Sequence, residues 1–488
     1  MSTLVRMWVK ERLANEVSPE VQIHRINLDR YLSKLVRFLS NNKMGRSLFQ
    51  FQVDEMDKDI LRQIILDFQD QRLEPGIARH IQYEIFPNKA FICIGVRRCG
   101  KSTLLYQIIT NLLQQNKNIE NILYLNFFDD RLWALKKGDI GNVIDAYFSL
   151  YPQKKGAEKI YCFFDEIQEV QNWEPFIDRL LRTENCEVFL SGSSAKMLSK
   201  EISTQMGGRS LTWELFPFSF KEFLDAEQVE YHKITTRNKL IIQKAFGDFF
   251  RRGGFPEAIS ASEQIRIMLL QEYYKAILHR DIIERFDTLH PKAVIDAGYR
   301  LISSISSLYS INKITDYLKS LGHKVSKSFV GECLNWFEDA YFLFSIKRYS
   351  ASINKQNANP KKVYCIDHGM VQAVTSMITE DRGRLLENIV FLHLRRQGFE
   401  VYYYRTNNGR EVDFVWLDHK RKKHFAQVCW TMKDEKTRQR EIASLLIAME
   451  EQQAESAIIV THDENEILQE GKNKIEILPA WKFLLKDR

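Results

Sequence analysis

One stretch, Phe91 to Leu113, limits the possible folds of this 488-residue chain more than any other. It reads FICIGVRRCGKSTLLYQIITNLL, which is an apolar run, the pattern G-x-x-x-x-G-K-S and an amphipathic run. Glycines in such a loop allow a tight turn, so several backbone amides point at phosphate oxygens, and the dipole of the next helix adds positive potential. The stretch therefore predicts a strand, a phosphate-binding loop and a helix.

Nine consecutive positions are predicted to surround a nucleotide: Gly95, Val96, Arg97, Arg98, Cys99, Gly100, Lys101, Ser102 and Thr103. Lys101 is expected to contact the β and γ phosphates, and the hydroxyl of Ser102 to bind Mg²⁺. Leucine and isoleucine then recur every three or four positions, as in a helix packed on a sheet. The predicted ligands are ATP and Mg²⁺. The alternative is that the loop pattern occurs in this chain by chance. Cys99 stands at a variable position of the pattern and is predicted to be silent.

A second motif supplies acidic residues. The apolar run Ile160 to Phe164 leads into Asp165 and Glu166, as at the end of a buried strand. Asp165 is predicted to contact Mg²⁺ through water, and Glu166 to accept a proton from the attacking water. The alternative is an acidic helix cap that follows a buried strand.

Two further catalytic candidates follow. Ser193 comes after the apolar run Val188 to Leu190 and is predicted either to orient the attacking water or to turn the chain. Arg209 follows Gly207 and Gly208 and is predicted to stabilise γ-phosphate charge in the transition state, from the same chain or from a neighbouring subunit. The alternative is an exposed arginine on a turn.

Composition favours a multidomain protein without a membrane segment. The length suggests about three domains, and 44% hydrophobic residues suffice for several cores. The net charge of +7 permits contact with nucleic acid without demonstrating it. No apolar run is long enough to span a membrane and no signal peptide opens the chain, so a cytoplasmic location is expected. The seven cysteines form no C-x-x-C pair, which indicates reduced thiols and no structural zinc.

Several motifs together resemble a known family. They are GVRRCGKST, YCFFDEIQEVQNWEPFIDRLLR, FLSGSSAKMLSKEI, GGRS with LFPFSFKEFL, RRGGFPEAI and HRDII, in this order. The order resembles bacterial and archaeal P-loop ATPases of the AAA superfamily that carry a C-terminal domain similar to restriction endonucleases. The resemblance covers about residues 77 to 470. It implies a parallel sheet with the loop at the strand ends, a helical lid around residues 216 to 285, and ATP with Mg²⁺. Arg209 matches the family's GR position, and Asp281 matches the RD pair of the lid.

The predicted fold class is α/β, with a P-loop AAA-type ATPase core and helical lid followed by a winged-helix segment and a restriction-endonuclease-like domain. The predicted boundaries are a helical N-terminal arm at 1–76, the ATPase core at 77–215, the lid at 216–290, the winged helix at 291–380 and the nuclease-like domain at 381–488. The arm includes an amphipathic segment from Asp57 to Phe68 and is predicted to serve packing or oligomerisation.

The winged-helix prediction rests on four consecutive patterns: a helix Ile311 to Ser320, a turn at Gly322, a helix Ser326 to Asp339 and a β wing Tyr341 to Tyr349. In a DNA-binding version, Lys324, Lys327 and Ser328 would approach phosphates at the start of the second helix. Winged helices also bind proteins or brace neighbouring domains, and the sequence leaves these alternatives open.

The C-terminal segment is predicted to be a degenerate nuclease-like domain. It reads as a helix with Glu387 and three strands, Glu400 to Arg405, Glu411 to Leu417 and Phe425 to Trp430. Glu387 and Asp413 resemble the acidic frame of nucleases that gather two carboxylates and a lysine around a divalent metal. The usual Glu-x-Lys is replaced by Gln427, Val428 and Cys429. Binding of nucleic acid or protein is therefore expected. One alternative is an active nuclease. The other is a packing module in which Glu387 and Asp413 pair with arginines.

Taken together, the motifs predict a Mg²⁺-dependent ATPase whose cycle changes the conformation of the attached domains. DNA or a protein is the predicted partner, and a homo-oligomer is compatible with the arginine at position 209. The alternatives are a nucleotide-gated switch or scaffold for protein partners, and an ATP-dependent nuclease.

Overall fold

The computed structural model describes residues 58–136, 140–193, 204–352, 354, 356, 360–375, 381–418 and 420–486. Most of the predicted N-terminal arm lies outside the described residues. Its last part forms a helix, α1, at residues 58–70, where the amphipathic segment was predicted. Ile65 of this helix is fully buried, so α1 contributes to the hydrophobic core.

The centre of the first half is a parallel sheet of five strands. The strands are β1 Ala90–Ile94, β2 Ile122–Asn126, β3 Ile160–Asp165, β4 Cys186–Gly192 and β5 Ser210–Glu214. Their order is β2-β3-β4-β1-β5, and every pair is parallel. The carboxyl ends of parallel strands lie at one edge of a sheet. The loop after β1 and the acidic pair after β3 therefore meet at that edge, and the predicted α/β fold class is confirmed.

Helices cover this sheet, as the buried character of its strands requires. They are α2 Lys101–Gln114, α3 Asn142–Leu150 and α4 Trp173–Thr183, with short 3-10 turns at Ile119–Asn121, Asp130–Lys136, Pro152–Lys154 and Ile167–Glu169. Leu105 of α2 and Phe163 of β3 are fully buried, and Phe163 stacks on Phe189 with ring centroids 4.5 Å apart. Each such side chain contributes about 1.5–3 kcal/mol through burial.

Helices follow the sheet along the chain, in the segment for which a lid was predicted, and we call this helical segment the lid. They are α5 Phe220–Ala226, α6 Thr236–Arg252, α7 Pro256–Ile259, α8 Glu263–Ala276 and a π-helical segment Ile277–Glu284 that continues α8. Segments of π-helix are rare and occur frequently at functional sites. This one carries the RD pair of the sequence.

Helices and a small antiparallel sheet come next. They are α9 Pro291–Ile302, β6 Leu308–Tyr309, α10 Ile311–Ser320, α11 Lys327–Asp339, β7 Leu343–Ile346, β8 Lys361–Cys365 and α12 His368–Val374. The sheet order is β6-β8-β7. The strand predicted from Tyr341 to Tyr349 is shorter than expected. At the start of the predicted strand, Tyr341 has a φ of 54°, which lies outside the extended region. At its end, the amide of Tyr349 donates a hydrogen bond to Tyr403 O, in the C-terminal part of the chain.

The C-terminal unit is a six-stranded mixed sheet with helices. Its elements are α13 Arg382–Arg396, β9 Glu400–Arg405, β10 Glu411–Leu417, β11 Lys423–Val428, α14 Glu435–Gln452, β12 Ser456–Thr461, β13 Glu466–Glu470, β14 Asn473–Pro479 and α15 Ala480–Leu484. The order is β13-β14-β12-β11-β10-β9. The predicted helix and the first two strands are confirmed. The third strand is observed two residues earlier than predicted.

The C-terminal unit packs directly on the first sheet. Glu214, the last residue of β5, accepts hydrogen bonds from Tyr341 Oη at 2.8 Å and Arg395 Nη2 at 2.7 Å. Arg396 is half-buried and donates to Pro217 O at 2.9 Å. In the part of the chain that the structure describes, no helix has the length and apolar character needed to cross a membrane.

Candidate functional site

The loop after β1 wraps around the ammonium group of Lys101. Lys101 is the first residue of α2, it is buried, and its Nζ donates to the carbonyl oxygens of Gly95 and Val96 at 3.2 Å each. Gly100 has a φ of 97°, which favours glycine. A Cβ at position 95 would lie 2.0 Å from Leu215 O. The backbone geometry therefore requires both glycines of the motif.

Asp165 ends β3 beside the loop and is held by hydroxyl groups. Tyr124 Oη donates to Asp165 Oδ2 at 2.8 Å, Ser191 Oγ donates to Oδ1, and the hydroxyl of Ser102 lies near the same carboxylate. Burial and the neighbouring charge of Glu166 raise the pKa of Asp165, and the hydroxyl groups of Ser102, Ser191 and Tyr124 oppose that rise. A hydroxyl and a carboxylate side by side are hard oxygen donors of the kind that Mg²⁺ prefers. Ser102 and Asp165 therefore fit the ion predicted from the sequence.

Glu166 lies between the loop lysine and two polar side chains. Its φ of 55° is unusual for a residue with a side chain, and its amide donates to Ser191 Oγ at 3.0 Å. One carboxylate oxygen lies 3.4 Å from Lys101 Nζ, and the other accepts from Gln168 Nε2 at 2.6 Å. Gln168 also reaches Ser193 Oγ at 3.3 Å. The structure thus brings the two predicted residues, Glu166 and Ser193, together through Gln168, which sequence reasoning missed.

The electrostatics of this cluster keep Lys101 charged. Burial alone lowers the pKa of the ammonium, but Glu166 and the other acidic groups nearby outweigh burial and raise that pKa. Burial raises the pKa of the Cys99 thiol. This supports the prediction that Cys99 is chemically silent, because only a thiolate is a good nucleophile.

Two arginines of the loop are held by the lid. Arg97 Nε lies 2.7 and 2.9 Å from the two carboxylate oxygens of Asp281, in the π-helical segment. Arg98 Nη1 donates to Glu257 Oε1 at 3.0 Å. The Arg97–Asp281 pair is mostly buried, whereas the Arg98–Glu257 pair is exposed. The RD pair in HRDII was the sequence signal for Asp281, but no role for it was predicted.

Arg79 braces the loop from the segment that precedes β1. Its guanidinium donates to Cys99 O at 2.6 Å, to Phe216 O at 2.6 Å and to Glu222 Oε1 at 2.8 Å. Burial opposes ionisation of Glu222, but Arg79 and backbone hydrogen bonds outweigh it and lower the pKa of this carboxyl to about 2. A buried and fully paired guanidinium therefore fixes the loop to the first lid helix. No local pattern in the sequence indicates this residue.

A cavity of about 720 Å³ opens beside the loop. Its polar lining includes Lys101, Ser102 and Glu166, and its apolar lining includes Ile77 and Phe218. Small-molecule sites commonly have a volume of about 300–1,000 Å³ and combine an apolar wall with a few polar groups. The cavity can therefore hold a nucleotide with its phosphates at the loop and its base against the apolar side.

Arg209 does not lie at this cavity. It precedes β5, its carbonyl accepts from Ala90 N at 2.8 Å, and its Nη1 pairs with Asp178 Oδ1 at 2.6 Å. Because β5 runs parallel to β1, Arg209 lies beside the start of β1, one strand length from the loop at its end. The prediction of a contact with the loop of the same chain is wrong for this geometric reason. Contact from a neighbouring subunit stays a prediction. Within the chain, Arg280 of the π-helical segment lines the cavity instead.

The two predicted carboxylates of the C-terminal unit meet a buried lysine. Lys362 Nζ, from β8, lies 3.0 Å from Glu387 Oε1, 2.8 Å from Asp413 Oδ1 and 2.8 Å from Glu411 Oε1. Tyr364 Oη also donates to Glu387 Oε1. The alternative in which Glu387 and Asp413 pair with arginines is therefore wrong, because a lysine pairs with them. Burial and then Asp413 raise the pKa of Glu387 to about 8, although Lys362 and Tyr364 lower it.

Gln427 and Cys429 replace the acid and lysine expected of a nuclease. Gln427 accepts from Asp413 N at 3.2 Å and donates to Glu441 Oε2 at 2.7 Å. Asp413 Oδ2 accepts from Val428 N at 2.9 Å, and Cys429 is buried. Among the residues that the structure describes, no group of three or more acidic, histidine or cysteine side chains is placed to hold a metal ion.

Three family models match successive parts of the chain. One described as AAA domain matches residues 87–224, and two described as domains of unknown function match residues 243–381 and 382–483. An uncharacterized protein of Methanocaldococcus jannaschii is 34% identical over 444 residues, with 88% of this chain and 96% of that protein covered. An uncharacterized protein of Haemophilus influenzae is 30% identical over 325 residues, with 66% of this chain and 78% of that protein covered.

Two solved structures are similar at low sequence identity. A Walker-type ATPase of Pyrococcus abyssi has a TM-score of 0.36 and 13% identity, with 59% of this chain and 91% of that chain covered. The ORC1 protein of Aeropyrum pernix, in a complex with DNA, has a TM-score of 0.29 and 12% identity, with 66% of this chain and 92% of that chain covered.

Proposed function

This chain belongs to the family of its Methanocaldococcus jannaschii relative and carries a segment, residues 87–224, that matches an AAA domain. From this premise we propose that it binds Mg²⁺ and ATP beside the loop after β1 and hydrolyses the nucleotide. The observation that carries the proposal is the cluster at the sheet edge, where Lys101 lies 3.4 Å from Glu166 and the hydroxyl of Ser102 lies near Asp165. Phosphate release from ATP by the purified chain, with Mg²⁺ or with EDTA, tests it.

Lys101 and the loop amides would bind the phosphates. In the structure the ammonium has only carbonyl oxygens and one carboxylate as partners. Phosphate oxygens are charged and are stronger acceptors than the neutral carbonyls that now bind Lys101. The β and γ phosphates would therefore draw the ammonium away from its present partners, including Glu166. Ser102 and Asp165 would hold Mg²⁺, which in such sites neutralises charge that develops on the phosphates.

Glu166 would act as the general base. Its carboxylate is held by Lys101 and by Gln168. When phosphate binds the ammonium of Lys101, the carboxylate oxygen that faced this ammonium becomes free to accept a proton from water. The water oxygen then bonds to the γ phosphorus, the bond from that phosphorus to the bridging oxygen breaks, and ADP and phosphate result. Gln168 and Ser193 would orient Glu166 and the attacking water.

The lid would respond to nucleotide through Arg97. This arginine is bound to Asp281 and lines the cavity, so a γ phosphate would compete with Asp281 for it. Binding of ATP would thereby loosen the contact between lid and loop, whereas ADP, which lacks that phosphate, would leave it in place. Such competition is a route by which the ATP cycle changes the conformation of the attached domains.

Asp281→Asn is expected to raise the affinity for ATP relative to ADP by about tenfold, because it removes the competitor of the γ phosphate; tenfold corresponds to about 1.4 kcal/mol. The measurement is the ratio of the two dissociation constants by calorimetry. The exposed pair Arg98–Glu257 provides the control, and Glu257→Gln is expected to change the ratio by less than about twofold. An unchanged ratio in Asp281→Asn would refute competition for Arg97.

A second candidate function is contact with DNA by residues 291–380, which we interpret as a winged helix. Helices α10 and α11 and the three-stranded sheet have the order that this fold requires. Lys324, Lys327 and Ser328 are all exposed at the amino end of α11. A positive helix end with two lysines favours phosphate.

The double variant Lys324→Glu with Lys327→Glu tests this candidate. It is expected to weaken DNA binding at 50 mM salt by at least about tenfold and to reduce the salt dependence, because fewer counterions are released on binding. Fluorescence anisotropy with single- and double-stranded DNA over a salt series is the measurement. Equal binding by both proteins would exclude this surface. ATP turnover that does not respond to any nucleic acid would favour the switch for protein partners.

A further inference from the structure

Strand β8 inserts a lysine into the C-terminal unit. Lys362 is only 2% exposed, and the three carboxylates around it come from α13 and β10, outside its own small sheet. An ammonium has three N–H donors and no acceptor. Glu387, Glu411 and Asp413 each lie within 3.0 Å of its nitrogen, and Glu387 and Asp413 accept hydrogen bonds from it.

Lys362 is the cation that these carboxyl groups share, and its charge offsets part of theirs. A buried ion is tolerated when it is paired and hydrogen-bonded, and removal of one partner leaves the others uncompensated. Glu387 and Asp413 are both buried, so without Lys362 their ionised forms would repel each other in a region that excludes water. Carboxylates so arranged are the ligand type of a hard divalent ion. The position that such an ion needs is the position of Lys362 Nζ.

We propose that Lys362 is the internal cation of this carboxylate site, that it keeps the site closed to divalent metal, and that it fixes β8 to the C-terminal unit. The lysine thus replaces the metal that a carboxylate frame of this kind would otherwise gather. Metal would enter only after β8 leaves.

The segment that carries the lysine also holds the lid. Asp367 Oδ2 accepts from Gly254 N at 2.6 Å. His368 Nε2 bonds to Phe249 O at 2.8 Å, and Gln372 Nε2 donates to Phe250 O at 2.7 Å. These contacts cap the carboxyl end of α6. Residues 361–372 are therefore bound to the C-terminal unit at one end and to the lid at the other, and release of Lys362 is expected to loosen both.

Titration with Mn²⁺ in the absence of nucleotide tests the metal part. Wild type and Asp413→Asn are expected to bind equal numbers of Mn²⁺ ions by calorimetry and electron paramagnetic resonance. Lys362→Met is expected to gain one ion, and Lys362→Met combined with Asp413→Asn is expected to lose it again. A folded Lys362→Met that gains no ion would overturn the proposal. A Mn²⁺ ion that binds to wild type but not to Asp413→Asn would also overturn the proposal. This second comparison remains valid even if Lys362→Met does not fold.

Thermal melting and hydrogen exchange test the structural part, with the neighbouring Lys361→Met as the control. Lys362→Met is expected to lower the melting temperature by about 10 °C, whereas Lys361→Met changes it by less than about 2 °C. Removal of charge from both buried carboxylates, by Glu387→Gln and Asp413→Asn in the Lys362→Met background, is expected to restore at least half of the loss. Amide exchange in β8 is expected to rise at least tenfold in Lys362→Met. Equal exchange in β8 of wild type and Lys362→Met would contradict the proposal.

Discussion

Replacement of Lys101 by alanine is expected to abolish ATP hydrolysis and to weaken ATP binding at least about a hundredfold, with the fold retained. The ammonium is a buried cation that the loop surrounds, and removal of one preorganised charge at a phosphoryl-transfer site costs about 10²–10³ in rate. Its loss leaves Glu166 without its partner at 3.4 Å, so a modest loss of stability is also expected. Equilibrium titration with a fluorescent ATP analogue and steady-state phosphate release measure the two effects.

Lys117→Ala is the matched control for this variant. Lys117 is exposed and lies beyond the carboxyl end of α2, away from the loop. Its removal is expected to leave affinity and turnover within about twofold of wild type. A Lys101→Ala protein with wild-type turnover would show that the loop is not the hydrolytic site.

Replacement of Glu166 by glutamine is expected to separate binding from hydrolysis. The glutamine has the same shape and still accepts a hydrogen bond from Gln168, but it does not take a proton from water. General bases contribute about 10²–10⁴ to rate, so turnover is expected to fall at least about a hundredfold. Affinity for ATP is expected to stay equal or to rise, because the carboxylate that competes with phosphate for Lys101 is removed.

Single-turnover hydrolysis with excess protein measures the chemical step directly in Glu166→Gln. Glu74→Gln, at an exposed glutamate before β1, is the control and is expected to hydrolyse ATP at the wild-type rate. Gln168→Ala is expected to give an intermediate loss, because it leaves Glu166 in place but removes the group that orients it. Normal single-turnover rates in Glu166→Gln would assign the base to another residue.

The core of the site could be predicted because its parts are local in sequence. An apolar strand, a glycine loop and an amphipathic helix follow one another without interruption from Phe91 to Leu113. The strand that ends in Asp165 carries the same kind of signal. Since parallel strands end at one edge, the two motifs had to meet, and the short distance between Lys101 and Glu166 agrees with this.

The residues that were missed make contacts over long sequence separations. Arg79 pairs with Glu222, 143 positions away, and Arg97 pairs with Asp281, 184 positions away. No periodicity connects such positions. Arg209 shows the opposite error, because a role was predicted for a residue that lies elsewhere. The glycine-rich turn is typical of a catalytic arginine, but it does not indicate on which edge of the sheet the arginine lies.

The C-terminal unit shows the same limit. Glu387 and Asp413 were predicted to belong to one carboxylate frame, and the structure places both beside Lys362. The cation that completes the carboxylate cluster comes from β8, 51 positions before Asp413. Spacing within strands β9 to β11 contains no information about a lysine that is contributed by a different sheet.

The most direct measurement of the proposed function is steady-state phosphate release from ATP by wild type and Glu166→Gln, with Mg²⁺ or EDTA, in the presence and absence of salt-matched DNA. We expect turnover by the wild type that requires Mg²⁺ and falls at least about a hundredfold in Glu166→Gln. Stimulation of ATP turnover by DNA would identify nucleic acid as the partner. Release that is equal in wild type and Glu166→Gln, or that persists in EDTA, would contradict the assignment of ATP hydrolysis to this site.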